Sequence, residues 1–161
     1  MYFINTSSRA EDVRAFFEEG AVQARLLLEP AFRRLGFDPS GRRILEIGCG
    51  IGRLFPGFLR LGFADVWGID VSLEMVRRAT EFCPVKSARF LLGNGTDLRG
   101  VSDGAIDYCF SFTVFQHVPD MRIVDSYLSE VTRVLGEGGR VPAPLRRPTA
   151  VRRTPLVETG P

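Results

Sequence analysis

In residues 45–53, LEIGCGIGR, an acid stands two positions ahead of three alternating glycines, Gly48, Gly50 and Gly52. Glycines in that pattern let a chain turn tightly after a strand and lay its backbone against a ligand. Glu46 sits in an otherwise apolar run, so its carboxylate needs a partner, and the loop reads as a seat for something polar and fairly large. Other short stretches carry groups of similar use. Asp70 ends DVWGID, and a carboxylate can accept two hydrogen bonds from a ribose diol. Asn94, between Gly93 and Gly95, offers an amide to the edge of a purine. Ser111 and then Phe115-Gln116-His117 follow a further apolar run. His117, the one histidine, is either a hydrogen-bonded loop residue or a neutral imidazole able to take a proton from an attacking O or N.

These groups must be positioned by the elements between them. Apolar residues at helical spacing from Val13 to Leu35 predict a helix over about 11–36, with a break or kink at Pro30 and a stop at Gly36. Phe16 and Phe17 on it read as core, or else as part of a lid. A strand over about 43–48 leads into the glycine turn, and a helix follows from about Gly52 to Leu61. Residues 65–70 form a second strand, after which Ser72 is placed to cap a helix. Residues 88–94 and 105–115 give two more strands, and Ile123 to Val134 mark a last helix ending in GEGG. Short apolar strands alternating with helices imply a parallel sheet covered on both faces, with ligands bound beyond the strands' carboxyl ends. Each of the groups singled out above falls on such a loop.

The 161 residues suffice for one ordinary domain. At 45% hydrophobic and 25% charged, the chain has no apolar run near the ~20 residues of a membrane span. Its first residues, MYFINTSSRAEDV, do not have the layout of a secretory signal. Cys49, Cys83 and Cys109 are odd in number and widely spaced, which disfavours a disulfide framework or a zinc site, suggests buried hydrophobes and points to a reducing cytoplasm. Residues 140–161 hold five arginines against one acid, Glu158, so the basic excess sits there and the body carries no nucleic-acid footprint.

With these motifs in this order, the chain resembles the class I S-adenosylmethionine-dependent methyltransferases of the small-molecule type. LEIGCGIGR corresponds to the first motif and GIDVS to the second. GNGTDL and DYCFSFTVFQHVPD match the adenine-contacting and post-strand-4 motifs, and YLSEVTRVLGEGG the helix leading to strand 5. The resemblance implies a Rossmann-like, doubly wound, mostly parallel α/β sheet with strand order 3-2-1-4-5-7-6, and S-adenosyl-L-methionine as cofactor. The cofactor-binding set it implies is Glu46, Gly48, Cys49, Gly50, Gly52, Asp70, Val71, Asn94, Gly95 and Ser111. Glu46 would lie near the methionine end, Asp70 on the ribose hydroxyls, Asn94 by the adenine, and Ser111 would contribute main-chain atoms. The implied function is in-line methyl transfer to a small-molecule acceptor, with His117 as the candidate general base. A non-catalytic remnant or a binding module is the alternative. A nicotinamide-dinucleotide fingerprint would put its third glycine at 53, where Arg53 stands, so the spacing disfavours a dinucleotide.

The end of the chain departs from that pattern. RVPAPLRRPTAVRRTPLVETGP holds half of the ten prolines and none of the thirteen phenylalanines, and Pro142 and Pro144 stand where a fifth strand is due. The expectation is a domain over 1–139 lacking strands 5–7 through truncation or a frame shift, then a disordered Pro/Arg tail over 140–161. A native basic extension that binds an acidic partner is the other reading of the tail. Loss of those strands would leave strand 4 as an exposed edge open to pairing.

Overall fold

The central strands form from runs too apolar to face water on either side. In β1 (Arg43–Ile47) Ile44, Leu45 and Ile47 are all fully buried, and β4 (Ile106–Ser111) buries Ile106, Tyr108, Cys109 and Phe110. These two pair with each other, β2 (Asp65–Asp70) lies on the far side of β1, and β3 (Arg89–Leu92) lies beyond β2. The structure, a computed structural model, describes residues 10–141.

The sheet order is β3-β2-β1-β4-β5, and every pairing is parallel. Helices cover both faces, giving the Rossmann-like α/β class and the first five positions of the strand order the resemblance implies. On one face α1 (Ala10–Leu35) and α2 (Phe55–Arg60) pack Phe17, Leu28, Phe32, Phe55 and Phe58 onto Ile44, Val66, Tyr108 and Phe110. On the other, α4 (Met121–Val134) sets Tyr127, Val131 and Val134 against Leu45, Ile47, Ile69 and Cys109. Successive residues of β1 thus serve opposite cores. Helix α3 (Leu73–Phe82) joins β2 to β3, and its Ser72 cap accepts from Met75 N at 3.3 Å.

Several expectations need correction. Helix α1 runs through Pro30 as one element, because the proline and the preceding-turn residue Leu26 both lie on the exposed side. Helix α2 starts at Phe55 rather than Gly52, since Gly52 has φ +75°, outside the helical region, and Pro56 occupies the first turn. Strand 4 is not an edge. Leu135–Arg140, read as a helix end, forms β5 directly after α4 and lies against β4. The pairing is irregular: while β4 advances from Ile106 to Tyr108, β5 advances from Leu135 to Arg140. Glycine makes it feasible, for a Cβ on Gly136 would lie 3.0 Å from Gly104 O. Of the expected tail, Arg140 closes β5 and Val141 follows; residues 142–161 lie outside the described residues.

Cys49, Cys83 and Cys109 are free and buried. No helix among the described residues is long and apolar enough to cross a membrane.

Candidate functional site

Strand order reverses between β1 and β4, so the chain leaves their carboxyl ends in diverging directions and opens a crevice there. A cleft of about 1170 Å³ occupies it. Ile47 and Gly48 come from the end of β1, Ile69 to Ser72 from the end of β2, and Phe112 to Val114 from the exit of β4. The one-turn 3-10 helix Phe115–His117 adds Gln116 and His117, α4 adds Tyr127, and α1 closes one side with Phe16, Glu19 and Gln23.

The glycine turn folds toward β2 because Gly48 N and Cys49 N both donate to Ile69 O, at 2.7 and 3.2 Å. Gly48 has φ +73°, and a Cβ there would collide with Val114, so that position has both a conformational and a steric need for glycine. Gly50 N donates to Asp70 Oδ2 at 2.8 Å, and Ser72 N donates to Asp70 Oδ1 at 2.9 Å. Each carboxylate oxygen therefore secures one backbone N–H and keeps a second lone pair. Gly52 faces the core instead of the cleft, where a Cβ would lie 3.0 Å from Phe90 Cζ and 3.3 Å from Cys83 Sγ.

Beneath the turn, Glu46 is 4% exposed and its Oε2 has no hydrogen-bond partner. It stands between Gly68 of β2 and Phe110 of β4 in the parallel register. Burial, and then the negative charge of Asp70, push its carboxyl well above the usual range. Burial together with Glu46 and Asp70 likewise pushes the Cys49 thiol up.

On the α1 side, Arg53 hydrogen-bonds Gln23, lies 3.7 Å from Glu19 and places its guanidinium 5.1 Å from the centre of the Phe16 ring. The adjacent phenylalanines divide: Phe16 lines the cleft and Phe17 is in the core. On the opposite side Thr113 has φ +60°, the one non-glycine positive φ among the described residues. Gln116 Nε2 lies 3.1 Å from His117 Nε2.

Of the residues singled out in the sequence, Gly48, Asp70, Val71 and His117 line this cleft. Gly50 is tied to it through Asp70, and Glu46 and Cys49 lie beneath it. Ser111 Oγ donates back to Ile47 O at 3.0 Å, joining β4 to β1. The Asn94 side chain is engaged within its own loop: Oδ1 accepts from Thr96 N at 2.9 Å and Asp97 N at 3.0 Å, and Nδ2 donates to Asp97 at 2.9 Å. Gly95 sits beside Val71, where a Cβ would lie 3.6 Å from Val71 Cγ1. Sequence reasoning passed over Glu19, Gln23 and Thr113, and gave no site role to Arg53 or Gln116. A signal existed on α1, where Phe16, Glu19 and Gln23 recur at one-face spacing, but two of the three are polar and an apolar periodicity skips them.

Comparison with known proteins bears on this geometry. The family model of the methyltransferase domain matches residues 45–142. The chain is 35% identical over 107 residues to the 2-methyl-6-phytyl-1,4-hydroquinone methyltransferase of Synechocystis sp., covering 63% of this chain and 31% of that protein. It is 30% identical over 106 residues to the ubiquinone biosynthesis O-methyltransferase of Xanthomonas oryzae pv. oryzae, covering 65% and 43%. It thus spans less than half the length of these curated relatives. The crystal structure of an S-adenosylmethionine-dependent methyltransferase from Mesorhizobium loti shares the fold, with TM-score 0.58 and 24% identity over 73% of this chain and 51% of that one. Since the family match begins inside β1 and takes in every strand and loop that builds the cleft, the chain belongs to the class I S-adenosylmethionine-dependent methyltransferase family.

Proposed function

We propose that this chain binds S-adenosyl-L-methionine in the cleft at the ends of β1, β2 and β4 and transfers its methyl group to a small-molecule acceptor. The observation that carries the reading is the joint between the glycine turn and Asp70, which holds the turn and a carboxylate with spare acceptor capacity together at one cleft. The residues suit the parts of that molecule. The buried, unpartnered Oε2 of Glu46 suits a cationic amine. A Cβ at Gly50 would meet nothing within 4 Å, which suits a ligand lying over the loop. The names of the curated relatives, both acting in quinone chemistry, support a small molecule as acceptor.

S-adenosyl-L-methionine supplies a methyl group already activated on a sulfonium. The chain's own work is to bind, orient and exclude water. Gly48 and Gly50 bring the backbone close, and the spare lone pairs of Asp70 take hydroxyl donors. Phe16, Phe112 and Val114 supply apolar wall. Proximity and orientation contribute up to ~7–11 kcal/mol to such a reaction. His117, in the cleft lining beside Gln116, is the base that accepts the proton of an attacking O–H in this reading. The test is a thermal melt with and without S-adenosylhomocysteine, followed by methyl-transfer assays on phenolic acceptors. Ligand at ~100 times its dissociation constant adds roughly 2.7 kcal/mol to the folded state. A cooperative melt that moves up is expected. A melt that does not move under saturating ligand would sink the cofactor assignment.

A further inference from the structure

Glu46 is an acid placed where its buried Oε2 has no hydrogen-bond partner among the described residues. Asp70 brings a second carboxylate to the same end of the sheet. Among the described residues, the elements around it supply no counter-charge. Its register neighbours are Gly68 on β2 and Phe110 on β4, the turn above adds the Cys49 thiol, and α2 brings Phe55 over Gly68. The arginine of the cleft, Arg53, is engaged by Glu19 and Gln23. Burial without a partner disfavours the charged form of a carboxyl until a cation arrives beside it.

We propose that binding of a ligand's cationic amine against Glu46 expels one proton from Glu46, so that cofactor binding by this chain is proton-linked. The proposal rests on the reading of the cleft as an S-adenosylmethionine site. The Glu46 O–H bond breaks, the proton passes to buffer, and the carboxylate left behind balances the ammonium. The free chain holds the proton more tightly than the bound chain, so affinity rises with pH between the two Glu46 values, by up to about tenfold per pH unit. Above that interval it is level.

Isothermal titration calorimetry with S-adenosylhomocysteine, in phosphate and in Tris near neutral pH, tests this. Release of about one proton makes the measured enthalpies differ by the difference in the buffers' ionisation heats. Glu46→Gln, which replaces a neutral acid by a neutral amide of the same shape, is expected to bind with no buffer dependence. Carbon-13 titration of the Glu46 carboxyl in the ligand-free chain should show it titrating above the ordinary carboxylate range, and lower with ligand bound. Buffer-independent heats in the parent chain, an undiminished difference in Glu46→Gln, or an ordinary carboxylate titration of Glu46 in the free chain would each overturn the proposal. Absence of any heat would overturn the ligand assignment and the linkage with it, while the carbon-13 titration would still report the state of Glu46.

Discussion

At Asp107 burial disfavours the charge, but the Arg43 side chain and the Arg43 backbone N–H, both at 2.9 Å, outweigh it and hold the carboxyl below its usual range. At Glu46 burial and Asp70 act together and raise it. The two acids therefore pull stability in opposite directions with pH. The contribution of Asp107 is present above the ordinary carboxylate pKa and is lost as pH falls through its folded value. Glu46 keeps a proton that the unfolded chain gives up near 4.5, so its contribution is present at low pH and lost as pH rises, by up to about 1.4 kcal/mol per unit until it ionises. Glu46→Gln removes that loss. Melts without ligand across a pH series should show the variant gaining on the parent from acid to neutral pH. A constant gap would mean that Glu46 is already charged in the folded chain.

Between elements, the contact of α1 with α2 decides where the cleft's outer wall stands. Gly57 of α2 faces α1, and a Cβ there would lie 2.5 Å from Ala24 Cβ and 2.7 Å from Ala21 O. Alanine is the better helix former by about 1 kcal/mol, whereas overpacking costs about 1–3 kcal/mol. Sterics should win, because Ala21 and Ala24 are themselves buried and the atom met at Ala21 is backbone. Gly57→Ala is expected to lower stability by about 1–2 kcal/mol in chemical denaturation. It should also weaken ligand binding, since a displaced α1 carries Phe16, Glu19 and Gln23 away from Arg53. On the other face Arg133 of α4 plays a comparable part, bonding Asp103 at 2.6 Å, Glu130 at 2.7 Å and Val101 O at 2.9 Å, and so holding the loop before β4.

Across the whole molecule, stability is concentrated in β1 and β4 and thins toward the edges. β1 is paired on both sides in continuous register, and β4 matches it residue for residue. Among the described residues β5 pairs on one side only, at an interrupted register, and all of it is exposed or half-buried. Few buried apolar contacts and an irregular ladder predict a low local opening energy. In native-state hydrogen exchange the β5 amides should exchange well before those of β1 and β4, and the glycine turn, anchored by Asp70, should slow further with ligand. Equal protection of β5 and β1 would contradict this.

Much of this architecture could be read from the chain because the deciding physics is local. Apolar runs marked the first four strands, Ser72 marked a cap, and the alternating glycines behind Glu46 marked a turn at a strand end. What lay beyond reading depends on partners far away in sequence. LGEGGR has no apolar run, and it is a strand only because Gly104 and β4 lie alongside it. Phe16 and Phe17 are alike as letters, but α1's rotation sends one to the cleft and the other to the core. Gly52 belongs to the glycine motif yet serves packing, since Phe90 and Cys83 arrive over it. The acid at Glu46 was visible as a charge in need of a partner. That the described protein supplies none, and sets a second carboxylate near it, was decided by the tertiary structure, because burial and electrostatics are properties of the assembled sheet rather than of its strands.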